Sequence, residues 1–172
     1  MTVLLGAFHL ANAKDLTLTP SSDGSLYVCD GCNVVSDGDY VVVGGYIQGA
    51  VKFSTAAFAG TKVKKAVLSL NAYGLPLWDL TVDVYGYGTK HGQLVESDAN
   101  AGRLLGTLTI PAGAGYGEPV YFDVTVFVRK VAAPFVAFNL RTDSGTDVFS
   151  STEYNYGTPP QLLVRTRDLS TE

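Results

Sequence analysis

Four short stretches near the end of the chain decide its fold class: VYFDVTVFV at residues 120–128, FVAFNL at 135–140, DVFSSTE at 147–153 and QLLV at 161–164. The first three are rich in β-branched and aromatic residues, which favour strands, and the fourth is a short apolar run. The first alternates apolar and polar residues, the period of a strand with one buried face. A double proline at positions 159 and 160 separates the last two stretches. This part of the chain is therefore predicted to be a series of β-strands.

The rest of the chain follows the same pattern, and no stretch has a sustained helical period. Glycine and proline groups separate the apolar runs, as turns require. About ten strands without crossover helices predict an all-β, antiparallel two-sheet β-sandwich. Outside the four stretches above, strands are predicted near residues 16–19, 25–28, 39–43, 49–53, 66–73, 77–87 and 104–110.

Alternation along three of these strands predicts the residues that lie between the two sheets. One face of residues 120–128 carries every second residue from Val120 to Val128, and the faces of the other two strands are equally one-sided. Trp78 falls on the apolar face of its strand, so it is predicted in the core, although a sugar-stacking role near the strand start is the alternative. The predicted core comprises Leu68, Leu70, Trp78, Val82, Phe122 and Val124.

The opposite face of residues 77–87 is polar and aromatic and is the predicted surface for a ligand or partner protein. Tyrosine suits both uses, because it stacks on sugar rings and is enriched in protein interfaces. The sequence leaves both uses open. The candidate residues are Asp83, Tyr85, Tyr87, Tyr154 and Tyr156.

Length and charge set further limits on the function. The chain has 172 residues, the size of one large β-domain, which we place at residues 14–166 with a polar tail at 167–172. Its net charge of −4 argues against a nucleic-acid partner, which usually needs a basic face. The one basic cluster, Lys62, Lys64 and Lys65, is predicted to be solvated. No stretch has the roughly 20 apolar residues of a membrane span.

Residues 1–13 are predicted to form an ordered arm rather than a signal peptide. The segment ends in Ala-Asn-Ala, which resembles a cleavage site, but it lacks a basic beginning and its apolar part is short. An apolar extended arm can add a strand to a neighbour or lie in its groove, and the alternative is that it forms an extra strand on its own sandwich. The predicted contact residues of this docking arm are Val3, Leu4, Leu5, Phe8 and Leu10.

Cys29 and Cys32 form a short CDGC sequence, for which a local disulfide and two free thiols remain equally open. Neither a zinc site nor a thioredoxin-like motif fits their context. No cofactor is predicted. A structural calcium ion is a minor alternative, because hard oxygen ligands suit it. Its candidate ligands are Asp23, Asp30, Asp37 and Asp39.

No group of residues in the sequence argues for catalysis. His9 and His91 have no neighbouring nucleophile elbow. Asp79 and Asp83 lie on the same strand face and are more simply solvating charges than a glycosidase pair. The glycine run at 113–117 is not followed by the lysine and helix of a phosphate loop. The chain is therefore predicted not to be an enzyme.

Six short motifs of the sequence, taken in order, resemble those of the DNRLRE-type domains. The resemblance covers about residues 16–166. The motifs are LTPSSDGSLYV at 18–28, VKFS at 51–54, AVLSL at 66–70, DVT at 123–125, FSSTE at 149–153 and PQLLV at 160–164. Two stretches depart from the family pattern: residues 86–100 stand where a tryptophan-rich region is expected, and CDGC is not a motif of the family.

The resemblance implies a galactose-binding-like, jelly-roll β-sandwich that is usually non-catalytic and related to carbohydrate-binding modules. Such domains occur on secreted and surface proteins. We expect a structural protein on a virion surface or a cell surface, most specifically a phage capsid decoration or fibre protein. Its partners would be other proteins of the assembly or further copies of itself. The alternative is a carbohydrate-binding module that recognises a polysaccharide through exposed tyrosines.

Overall fold

The structure, a computed structural model, describes residues 13–29, 32–36, 38, 40–73, 76–114, 117–143, 146–151 and 157–168. These residues form twelve β-strands, one short α-helix (α1, Thr125–Val128) and two 3-10 turns (Ala56–Phe58 and Glu96–Asp98). The strands are β1 (Ala13–Leu18), β2 (Ser22–Cys29), β3 (Cys32–Ser36), β4 (Tyr40–Gly44), β5 (Ile47–Ser54), β6 (Thr61–Ala72), β7 (Leu80–Thr89), β8 (Arg103–Ile110), β9 (Glu118–Asp123), β10 (Phe135–Arg141), β11 (Thr146–Ser150) and β12 (Gln161–Asp168).

The strands form two antiparallel sheets. The larger has the order β3-β2-β5-β10-β7-β8, and the smaller has the order β1-β12-β6-β9. Strands β4 and β11 pair with each other and connect the sheets. Gly44 of β4 pairs with Ile47 of β5, while Phe149 of β11 pairs with Ala72 of β6.

A single hydrophobic core lies between the two sheets. It draws buried side chains from β5, β7, β8 and β10 on one side and from β6 and β12 on the other. Alternation produces this packing: along β7, Leu80, Val82 and Val84 are buried while Thr81 is exposed. The predicted sandwich is confirmed, and so is the burial of Leu68, Leu70 and Val82.

The prediction that Trp78 lies in the core is wrong, since this side chain is 59% exposed. Strand β7 begins only at Leu80, so the alternation does not extend back to position 78. The preceding segment is held as a loop instead. The amide of Gly113 donates to the carbonyl of Pro76, and the amide of Ala112 donates to the carboxylate of Asp79.

The prediction of one continuous strand over residues 120–128 is also wrong, because β9 ends at Asp123 and α1 begins at Thr125. The carboxylate of Asp123 accepts the amide of Thr125 at 2.8 Å, a local side-chain turn that replaces strand pairing here. Side chains after Asp123 therefore change faces: Val126 is 65% exposed and Phe127 is buried.

The predicted core residues of this region are nevertheless inward. Val124 is buried, and Phe122 is half-buried against the core. The solvated lysine cluster is confirmed, since Lys62, Lys64 and Lys65 are exposed. The strands also extend beyond the predicted domain: Ala13 of β1 pairs with Arg167 of β12.

Replacing Leu70 by alanine should lower the free energy of unfolding by about 2–5 kcal/mol, because this side chain is 1% exposed within the core. Urea denaturation measures the change. Val126→Ala is the control and should stay within about 0.5 kcal/mol of the original chain. If Leu70→Ala lowers the free energy of unfolding no more than Val126→Ala does, Leu70 does not lie on the buried face of β6.

Candidate functional site

The connection between β7 and β8, residues 90–102, lies across the outer face of the larger sheet, and we call it the strap. Leu94 of the strap is buried in a second small cluster with Leu26 of β2 and Ala50 of β5. The amide of Leu94 donates to the hydroxyl of Ser22 at 3.1 Å. The centre of the larger sheet is therefore covered on both faces.

A buried ion pair holds the strap on the sheet. The ammonium of Lys52 on β5 lies 2.6 Å from the carboxylate of Asp98, and both side chains are buried. The same ammonium donates to the carbonyl of Gln93 at 2.8 Å. The carboxylate of Asp98 also accepts the amide of Val95 at 2.8 Å. Both charges thus have the extra hydrogen bonds that a buried pair needs.

Amide side chains extend this polar network. The side-chain amide of Asn139 on β10 donates to the carbonyl of Asp98 at 2.7 Å and to that of Ala101 at 3.2 Å. Gln48 on β5 exchanges two hydrogen bonds with Asn100, at 2.6 and 3.1 Å. Together with the bond from Leu94 to Ser22 of β2, these contacts tie β2, β5 and β10 to the strap, which fixes its position.

Tyr87, one of the predicted surface tyrosines, belongs to this network. Its ring lies 5.9 Å from the ammonium of Lys52, and its hydroxyl is buried without a hydrogen-bond partner of good geometry. Burial, followed by the negative charge of Asp98, raises the pKa of Tyr87 far above its usual value. The hydroxyl is therefore a neutral, covered group rather than a surface one.

Asp83 and Tyr85 lie together beside Arg141, which the sequence did not single out. The three line a depression of about 200 Å³ with Thr81 and Asp143. The guanidinium of Arg141 lies 3.8 Å from the centroid of the Tyr85 ring. The carboxylate of Asp83 accepts the hydroxyl of Thr107 at 2.8 Å. A carboxylate, an aromatic ring and a guanidinium thus surround one small polar hollow.

Several other predicted residues are not placed by the structure. The arm residues Val3, Leu4, Leu5, Phe8 and Leu10 lie outside the described residues, as do Tyr154 and Tyr156. Cys29 and Cys32 are paired positions of β2 and β3, but their side chains lie outside the description.

The candidate calcium ligands do not form a site within the described residues. Asp23 is buried in β2, and Asp30, Asp37 and Asp39 lie outside the described residues. Across the described part of the chain, no three His, Cys, Asp or Glu side chains lie close enough together to hold a metal ion.

Three large side chains project from one end of the larger sheet, which we call the apolar end. Tyr46 is 84% exposed, and Leu77 is 85% exposed beside the exposed Trp78. Tyr46 immediately precedes β5, and Trp78 shortly precedes β7. Because β5 and β7 both pair antiparallel with β10, they begin at the same end of the sheet.

No family model matches the chain, and no curated protein matches it in sequence. The resemblance to DNRLRE-type domains therefore remains a prediction that depends on the six short sequence motifs. Within the part of the chain that the structure describes, no helix has the length and apolar character needed to cross a membrane.

Proposed function

We propose that this chain is a non-catalytic structural protein that docks on a larger assembly, most specifically as a viral capsid decoration or fibre protein. One observation carries the proposal: Leu77 and Trp78 are exposed together at the apolar end. Neither side chain is needed to fill the core, since both precede the first residue of β7. Exposed apolar groups of this kind mark interaction sites.

The residue types also fit an interface. Tryptophan and tyrosine are the side chains most often found at the energetic centre of a protein–protein contact. The apolar end presents both, shortly before the first residues of two interior strands of the larger sheet. The hydrogen bonds of Pro76 and Asp79 described above restrain the loop that contains Trp78, which lowers the entropy cost of docking.

The docking arm is a second part of the proposal. Strand β1 begins at Ala13 and, among the described residues, pairs with β12 at one side of the smaller sheet. The apolar residues of the predicted arm immediately precede this strand in the sequence. An apolar extended segment is suited to adding contacts to a neighbouring protein.

An antibody against the chain should label the surface of the particles that carry it in electron micrographs. Purified chain should also rebind to particles from which it has been stripped. Replacing Leu77 by serine and Trp78 by alanine should weaken that rebinding at least about tenfold, because the interface loses its apolar anchor.

Tyr121→Ser is the matched control for this measurement. Tyr121 is 58% exposed, nearly the same fraction as Trp78, but it lies on β9 of the smaller sheet. Its replacement should leave rebinding unchanged. Unlabelled particles, or equal losses for both variants, would contradict the proposal.

Carbohydrate binding is a second candidate function, favoured by the hollow around Asp83, Tyr85 and Arg141. Carboxylates accept hydrogen bonds from sugar hydroxyls, and a guanidinium donates them. A saturable hit on a glycan array that is lost on Asp83→Ala would support this function. A glycan array without a hit would contradict carbohydrate binding and leave docking as the remaining candidate function.

A further inference from the structure

The surface charge of the molecule is strongly polarised between its two ends. At the end opposite the apolar end, β6 begins and β12 finishes, and this basic end carries most of the lysine and arginine side chains. Of the carboxylates whose side chains the structure describes, Asp15 and Asp123 lie near them, and Asp15 is paired with Arg165 at 2.7 Å. The exposed cations of the basic end are Lys14, Lys62, Lys64, Lys65, Lys90, Arg129, Lys130, Arg165 and Arg167.

A β-bulge contributes to this concentration of charge. Arg165 pairs with Lys65 and Thr166 pairs with Val63, so Lys64 is an extra residue in β6. Both Lys64 and Lys65 are exposed as a result, although they are consecutive in the strand. The register therefore turns a short lysine run into one continuous basic surface.

The apolar end carries the opposite charge. Asp143 follows β10, the strand that lies between the strands preceded by Tyr46 and Trp78, and Glu118 begins β9 at the same end. Both carboxylates are exposed, as is Asp79 beside Trp78. Among the described lysine and arginine side chains, Arg141 is the one near this end, and it is half-buried with its guanidinium against the Tyr85 ring.

The basic end also contains a groove of about 980 Å³ between the 3-10 turn before β6 and the segment after α1. Its apolar lining includes Phe58, Val128 and Val131, and Lys62 and Lys64 stand beside it. Arg129 fixes one side of the groove, because its guanidinium donates to the carbonyls of Val63 and Lys64 at 2.8 and 2.5 Å.

We propose that copies of this chain associate head to tail, with the apolar end of one copy seated in the groove of the next. This inference rests on the proposed docking function and names the partner as a second copy. Leu77 and Trp78 would enter the apolar groove, while Asp143 and Glu118 would face Lys62 and Lys64. A contact between two different surfaces of one molecule is heterologous, so it produces a ring or a filament.

Complementarity in both charge and apolar character distinguishes this partner from a simple polyanion. A polymer of phosphates or sulfates would use the lysines but would leave the apolar groove empty. It would also give no role to the exposed tryptophan at the other end. One end of this molecule offers a basic apolar groove, and the other end offers exposed apolar side chains and carboxylates.

Sedimentation velocity of the full chain at increasing concentration tests the inference. We expect species larger than a dimer that dissociate as NaCl rises from about 0.1 M to about 1 M, since the Debye length falls from about 10 Å to about 3 Å. Lys62→Glu with Lys64→Glu should be monomeric, and so should Glu118→Lys with Asp143→Lys. An equal mixture of the two variants should associate again, because each presents the charge that the other needs.

Glu96→Lys is the control, since Glu96 is an exposed carboxylate on the strap, away from both ends. This variant should associate like the original chain. A chain that stays monomeric at all concentrations and salts overturns the inference, even if it binds vesicles containing phosphatidylserine through its lysines. If the chain is monomeric but the antibody still labels particles that carry it, self-association alone is overturned. If the chain associates but the antibody labels no particle, the docking function is overturned.

Discussion

Replacing Lys52 by alanine should lower the free energy of unfolding by about 3–5 kcal/mol, the range expected when one partner of a buried ion pair is removed. The carboxylate of Asp98 would remain buried and would keep the hydrogen bond from the amide of Val95, but it would lose the ammonium that balances its charge. The strap would also lose the hydrogen bond from Lys52 to Gln93. Urea denaturation followed by circular dichroism gives the change in stability.

Two controls separate the buried charge from the general loss of a side chain. The double variant Lys52→Met with Asp98→Leu should recover much of the loss, because it leaves no uncompensated charge. Arg165→Ala should change the urea midpoint little, since Arg165 and Asp15 form an exposed pair. Equal stability of the Lys52→Ala chain and the original chain would show that the strap is not held by this pair.

The sequence predicted the sandwich because strand alternation is a local property. In residues 66–70, every second residue from Ala66 is apolar, and Leu68 and Leu70 are indeed buried. The sequence could not predict the strap, because nothing local indicates which of two sheet faces a polar loop will cover. One signal was nevertheless present: Lys52 lies between Val51 and Phe53 in an apolar run, where an unpaired charge would be costly.

The two errors have a common physical origin. The hydrophobic alternation predicts strands through Trp78 and Asp123, but near both residues side-chain carboxylates bind backbone amides and end the strand geometry. Asp79 accepts the amide of Ala112, and Asp123 accepts that of Thr125. Aspartate competes in this way with regular hydrogen bonding. A hydrophobic pattern alone does not show it.

Phe138→Ala should lower the free energy of unfolding by about 3–5 kcal/mol, as expected for a large aromatic side chain removed from a packed core. Phe138 is fully buried, and its ring meets those of Phe53 and Phe127 edge to face, with centroids 6.3 and 5.8 Å apart. The adjacent Asn139 points to the opposite face of β10 and bonds the strap. The loss therefore reports packing between the sheets and leaves the polar contacts of the strap in place.

Trp78→Ala is the decisive comparison, because it removes a still larger aromatic side chain. If Trp78 is a surface residue kept for docking, its replacement should change stability by no more than about 0.5 kcal/mol. Comparable losses at Trp78 and Phe138 would return the tryptophan to the core and remove the observation on which the docking function depends. A large loss of stability for Phe138→Ala with none for Trp78→Ala would show that the Phe138 ring stabilises the fold. The Trp78 ring, which is 59% exposed, would then have no role in the monomer.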